Sequence, residues 1–383
     1  AFDELAVVCA KGKAEDLSSK YKQHVNHNFK ATTGWAVKFT QDALVRGKKV
    51  MHMVLNEEDP RRIPNAIDLR DMTLYVDLTS EKSGINMLES FSYNMDEQGA
   101  FNVLITKIQT IIRQFSQKID EHDDTTLNSS DMQALQELLR AFYINEGMWV
   151  SDAKKEKDDI RLLNIPHKEV PKLNRLVIYA KEMLTKEAQG DNVNTKSFRK
   201  IYNLLKEISD NHGDLFDRLT TINRKLLREK QQVIFDFKHL KLRTERGLMG
   251  HFVNTFSYGE GELKDGDVLI IHGMDEMTPS VCDFLKTRIR QLHQRGVKVV
   301  LMYEEADIML GKEKENRQHN KWFEQASLKL TNPMTNSSVS RYSDILRVGL
   351  PESVTQGMSG ADRHVYLFNR KNDVILFNWD IVL

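Results

Sequence analysis

Two hydrophobic rhythms alternate along this chain: short unbroken apolar runs, and apolar positions three and four residues apart. The first marks strands buried on both faces and the second marks helices. Both meet in residues 265–310. Val268-Leu269-Ile270-Ile271, flanked by Gly266 and Gly273, leads into Asp275-Glu276. Val281, Phe284, Leu285, Ile289 and Leu292 then recur at helical spacing, ending in Arg295-Gly296. A second apolar run from Val297 to Tyr303 empties into Glu304-Glu305-Ala306-Asp307. Strand, helix, strand with continuous apolar cores predicts a buried parallel sheet, and the acids fall at strand ends, where open α/β sheets place ligands.

The rest of the chain extends the pattern. Residues 11–28 are polar, and no apolar strand is expected ahead of residue 30. Trp35, Phe39 and Ala43 predict a helix over 31–47 with a glycine cap at Gly47. Strands are predicted over 48–55, running into Asn56-Glu57-Glu58, and over 72–78. Residues 96–122 read as a long amphipathic helix with Phe101, Leu104, Ile105, Ile108, Ile111, Ile112, Phe115 and Ile119 on one face. From 125 to about 228 the texture is helix after helix. One is capped at Ser130-Asp131 and closed by Gly147, a second (174–189) stops at Gly190, and a third (195–212) stops at Gly213. A strand over 232–237 returns to the sheet. A hairpin closes the chain, with strands at 364–368 and 374–379 around a polar turn at 370–373. The expected organisation is a first α/β part (1–124), an all-helical insertion (125–230) and a second α/β part (231–383).

Composition narrows the function classes. Lys plus Arg equals Asp plus Glu at 55 each, so no global field draws the chain to nucleic acid or an anionic membrane. Two distant cysteines, Cys9 and Cys282, predict a reducing compartment without a disulfide framework. No apolar run reaches the roughly 18–20 residues of a membrane span. The first residues have no signal-peptide layout, and a start without Met in mid-pattern reads as an excised fragment. GxSxG, HExxH and CxxC patterns are absent, and His24 and His27, in HxxH spacing, have no second ligand pair for zinc.

The order of elements is similar to the traffic ATPases of type IV secretion and conjugation systems, the TraC, TraU and DotO type. The matching residues are Arg46-Gly47-Lys48-Lys49-Val50 entering a strand, and Val233-Ile234-Phe235-Asp236-Phe237 after the helical insertion. Asp275-Glu276 through Arg295-Gly296 to Asp307 follow, with a closing segment from Leu350-Pro351-Glu352 onward. This resemblance spans roughly residues 30–383 and implies an α/β P-loop (RecA-like) fold: a mostly parallel sheet flanked by helices, with a helical insertion and a C-terminal hairpin.

It also implies ATP and Mg²⁺ as cofactors. Asp275 then holds a Mg²⁺-bound water, Glu276 polarises the attacking water, and Arg295 is the arginine finger, with Arg288 and Arg290 beside it on a solvated helix. The bland reading of Asp275-Glu276 is the acidic start of a helix. Glu304-Glu305 and Glu57-Glu58 are further acids for the same cleft. The phosphate loop departs from the family, because GxxxxGK[ST] occurs nowhere in the chain. Placing its lysine at Lys30 keeps a helix of normal length, with Ala31, Thr32 and Thr33 opening it and Thr32 on Mg²⁺. The loop His24 to Lys30 then has no glycine, and each forced left-handed residue costs about 1 kcal/mol or more. Either the site is degenerate or residues near position 30 are absent from the sequence.

The implied function is ATP hydrolysis driving assembly or substrate transfer by a bacterial type IV secretion machine. Implied partners are further copies in a hexameric ring, other secretion ATPases, inner-membrane components, and secreted protein or DNA. The implied location is cytoplasmic, peripheral at the inner membrane. Two alternatives stay open: a catalytically decayed scaffold of the same fold, and a DNA-pumping motor of the coupling-protein or FtsK–HerA type.

Overall fold

Five apolar residues near the start, Leu5–Cys9, form strand β1, every one of them buried. This is the strand the sequence pattern did not reveal ahead of residue 30, because a five-residue run between Asp3-Glu4 and Lys11 carries little periodic signal. The computed structural model describes residues 3–11, 13–14, 29–56, 71–116, 126–189, 195–241, 244–347, 349–360, 365–370 and 373–378. Of the residues singled out from the sequence, His24, His27, Glu57, Glu58, Ile119 and Gly190 lie outside them.

After β1, the short strands β2 (Lys13–Ala14) and β3 (Phe29–Lys30) pair antiparallel, and helix α1 (Ala31–Val45) follows at once. Strands β4 (Val50–Val54) and β5 (Thr73–Asp77) come next. The helices α2 (Glu97–Phe115), α3 (Ser129–Asn145), α4 (Leu173–Gln189) and α5 (Thr195–Phe216) precede the short α6 (Arg224–Glu229). The chain continues with β6 (Gln232–Asp236), α7 (Lys238–Lys241), α8 (Glu245–Glu260), β7 (Val268–His272), α9 (Pro279–Gln294) and β8 (Lys298–Tyr303). It closes with α10 (Ala306–Met309), α11 (Arg317–Gln325), β9 (Leu328–Thr331), α12 (Asn336–Leu346), α13 (Glu352–Met358) and the hairpin β10 (Val365–Arg370) and β11 (Asp373–Asn378).

Nine strands form one sheet in the order β11-β10-β9-β1-β8-β7-β4-β6-β5. The run from β9 to β6 is parallel, and β10 and β11 add antiparallel at one edge. Registers such as Ala6 opposite Val300 and His52 opposite Ile270 align the carboxyl ends of β1, β8, β7 and β4. One face of the sheet (Ala6, Val8, Val268, Ile270, Val300 and Met302) packs on Ala31, Ala36 and Ala43 of α1, with Trp35 and Phe39 at the margin. α9 packs on β8, and α11 on β1 and α9. Fully buried apolar strands covered by helices are what the continuous runs predicted.

Two compact units emerge from the contacts: residues 1–76, 224–238 and 262–383, which hold the sheet, and residues 77–223 with 239–261. Among its described residues the second unit is helical from α2 onward, and α2 and α8 lie in it with the helices of 125–216. Two local expectations are corrected there, and one helix was not read from the sequence. The cap of α3 is Asn128, in a capping box with Asp131, rather than Ser130-Asp131. α5 does not stop at Gly213 but kinks at His212 (φ −134°) and runs on to Phe216. α8 gave no amphipathic signal because nearly all of it is buried, with Gly250 packed closely against Phe115 and Phe216.

Candidate functional site

The carboxyl ends of the central strands converge on one cluster. Lys30, the last residue before α1, extends its Nζ to Glu304 Oε1 at 2.8 Å and to the Asn56 carbonyl at 2.9 Å. Asn56, just past β4, donates its side-chain amide to the same Glu304 oxygen at 2.6 Å. Asp275 lies behind β7 on a 3₁₀ turn, Met274–Glu276, and accepts the backbone amides of Glu304 (2.8 Å) and Glu305 (3.0 Å) with its two oxygens. It therefore ties the end of β7 to the end of β8, and it does not cap α9, whose N-cap Thr278 has no side-chain cap bond.

The turn that aims Asp275 depends on Gly273. Its φ is +79°, and a Cβ there would lie 2.8 Å from Asn56 Cγ, so a side chain meets both backbone strain and a clash. The three residues His272, Gly273 and Met274 between apolar run and acids are thus the means by which the chain turns back over β8.

Burial lifts the Asp275 carboxyl to about 6, helped by the nearby Glu304 charge and opposed by the two backbone amides. Directly beneath, His272 Nε2 meets His52 Nδ1 at 3.1 Å, and His52 Nε2 meets Thr40 Oγ1 at 3.1 Å. Burial drives His272 down to about 3, with the Lys30 ammonium adding to the effect, and pushes His52 well below its usual value. The floor of the site is therefore a neutral histidine pair.

On the β1 side, Lys11 pairs with Glu305 at 2.5 Å, and Asn332 beyond β9 exchanges hydrogen bonds with the Lys11 backbone. Ser338 donates to Asp307 at 2.6 Å. Among the described residues these groups line a cleft of about 150 Å³ with Cys9 at its base. Burial, reinforced by Asp275, Glu305 and Glu304, holds the Cys9 thiol well above its usual range.

The structure brings Lys30 and Asp275 together with the runner-up Glu304-Glu305, and Glu276 is the next residue on the turn that carries Asp275. Thr32 and Thr33 are buried in the first turn of α1, with Ala31 packed on the sheet. Arg295 is elsewhere: it is the C-cap of α9, at the opposite end of β8 from Glu304. Arg288 is corrected from the solvated face, being 6% exposed with its guanidinium donating to Gln291 at 2.6 Å, while Arg290 is exposed. Asn56 and the histidine pair were missed; the signal available for them was polar residues placed inside or just after apolar strand runs.

A phosphate-bearing ligand and Mg²⁺ are implied by the resemblance, and the residues present fit them in kind. An ammonium, a side-chain amide, a hydroxyl in the first turn of a helix and a carboxylate one strand removed are the donors such a ligand takes. In the arrangement seen, the ammonium and the amide both rest on Glu304. Lys30 is extended (φ −63°, ψ 144°) and paired with Lys13, so it belongs to a strand ladder and not to a glycine cradle. Among the described residues no cluster of His, Cys, Asp and Glu is arranged to hold a metal by itself.

No protein-family model and no curated protein matches the sequence. Solved structures do. VirB4 of Thermoanaerobacter pseudethanolicus superposes with a TM-score of 0.73 at 14% identity, over 98% of this chain and 88% of that one. The plasmid coupling protein TrwB in complex with the GTP analogue GDPNP gives 0.58 at 11% identity, over 100% and 86%. TrwB with ADP and Mg²⁺ gives 0.57 at 11%, with the same coverage. The chain has the fold of VirB4 and TrwB. This is the mostly parallel, helix-flanked sheet that the sequence resemblance to type IV secretion and conjugation ATPases implied. No helix among the described residues is long and apolar enough to cross a membrane.

Proposed function

We propose that this chain is the motor domain of a type IV secretion or conjugation ATPase, with a Mg-nucleotide site at the carboxyl ends of β1, β7 and β8. The observation that carries the reading is that Lys30 and Asp275, far apart in sequence, both bond Glu304, one at its carboxylate and the other at its backbone amide. The shared fold with VirB4 and with nucleotide-bound TrwB supports it.

In this reading Lys30 and Thr32, with the backbone of Ala31 and Thr33, hold phosphate oxygens and Mg²⁺. Asp275 would help hold Mg²⁺ through water, and Glu276 would accept a proton from the attacking water. Bound Mg-ATP supplies the phosphoryl group. Arg295, at the far edge of the same subunit, acts only on a neighbour's site, so the reading entails a ring of copies, taken as hexameric. Its docking is to other secretion ATPases and inner-membrane components on the cytoplasmic side, with secreted protein or DNA as cargo.

A second reading, the silent scaffold, is favoured by the pairing of Lys30 with Glu304 and by the two backbone amides already seated on Asp275. Calorimetric binding of ATP and phosphate release, with loss on Lys30→Ala and Glu276→Gln, supports the motor. Binding without turnover supports the scaffold. Absence of nucleotide binding removes the proposed site.

A further inference from the structure

Glu304 Oε1 collects two donors, the Lys30 ammonium at 2.8 Å and the Asn56 amide at 2.6 Å. An anionic oxygen between an ammonium and an amide is the arrangement that recognises a phosphate oxygen. We infer that Glu304 is an intramolecular anion filling a Lys30–Asn56 cradle, and that a phosphate-bearing ligand binds by displacing it. The inference rests on the nucleotide site proposed above and adds a residue that sets its affinity.

Three features carry it. The Glu304 backbone amide is held by Asp275, which fixes the point of the strand end from which its carboxylate reaches Lys30 and Asn56. Asn56 is in turn seated against Gly273, where no side chain intervenes. The pair is also reachable from solvent, with the Lys30 and Glu304 side chains 20% and 28% exposed. A partly exposed ion pair of this kind can exchange one partner for a bound anion, since the released ion finds water. Glu305, pointed instead at Lys11, leaves Glu304 as the carboxylate on Lys30.

The test uses Glu304→Gln and Glu304→Ala. Glutamine keeps an oxygen for both donors and removes only the charge; alanine vacates the cradle. The probes are the non-hydrolysable ATP analogue ADPNP with Mg²⁺ and inorganic phosphate alone, measured by calorimetry, with thermal melts confirming folding. The expected result is ADPNP binding tightened roughly tenfold or more in Glu304→Ala, less in Glu304→Gln, with the gain abolished in Lys30→Ala/Glu304→Ala. A tenfold change corresponds to about 1.4 kcal/mol. Equal affinity in parent and both variants, with Lys30→Ala still weakening the parent, overturns the role of Glu304 and leaves the site. No binding in any variant overturns the site and the inference with it. A gain for phosphate equal to that for ADPNP identifies the cradle as a general anion site and still places Glu304 in it.

Discussion

Acidification from pH 7 to pH 5 is expected to weaken the sheet unit by at least about 3 kcal/mol, through groups that bind protons differently when folded. His272 and His319 are 1% and 2% exposed, and burial holds them near 3 and near 4. In the unfolded chain both titrate near 6.5. A depressed folded value means the stabilisation is complete above about 6.5 and lost as pH falls toward the folded value. Integrated from pH 7 to pH 5, each histidine removes about 2 kcal/mol. Asp275 opposes them: its carboxyl, raised to about 6, takes its proton first in the folded state, and acidification returns about 1 kcal/mol. His52 is shifted in the same direction as His272 and takes up its own proton when the chain unfolds, so it adds to the loss and about 3 kcal/mol is a lower figure. A loss of about 3 kcal/mol is a large share of a stability of about 5–15 kcal/mol. Urea unfolding followed by tryptophan fluorescence at both pH values measures it, Trp322 reporting locally because its ring packs edge-on against His319 at 5.5 Å. His319→Gln should shrink the difference between the two pH values by about 2 kcal/mol. Equal midpoints at pH 7 and pH 5, or a more stable protein at pH 5, would refute the reasoning.

Three other outcomes follow from the same geometry. Gly273→Ala combines a left-handed φ with an approach of 2.8 Å to Asn56, and should cost about 2–3 kcal/mol in urea unfolding. Asp275→Ala strips the acceptors from two backbone amides and should destabilise the ligand-free protein by roughly 2 kcal/mol or more, with Asp275→Asn milder because it keeps one acceptor. Cys9 and Cys282 are buried, and burial pushes Cys282 up to about 12 and Cys9 well above the usual thiol range. A thiol reagent at pH 8 should therefore leave both unmodified until denaturant is added.

Strands with continuous apolar runs were legible: β4, β6, β7 and β8 lie where the sequence pattern put them, and so do α1, α2, α4 and α9. β9 was not, because its second residue is a lysine. Lys329 is 5% exposed, donates to the Ala326 carbonyl and lies over the Phe323 ring, so a charge that reads as surface is buried in the sheet. Acids at the strand ends were legible as a group, but their roles were not. Which carboxylate meets Lys30 and which clamps a backbone depends on the left-handed turn at Gly273, a tertiary outcome with no periodic trace. Asn56 was invisible for a related reason, since one amide after a strand gains meaning only when β8 arrives beside it.

β1 sits deep in the sheet, yet its neighbours Val299 and Leu328 lie roughly 290 residues or more further along the sequence. During synthesis β1 can find neither of them until roughly 290 further residues have been made. Non-local pairing of that kind slows folding and leaves a sticky apolar strand waiting. Newly made protein should accordingly depend on chaperones up to the moment β8 and β9 emerge from the ribosome, and chains truncated before residue 298 should aggregate instead of accumulating as a partial sheet.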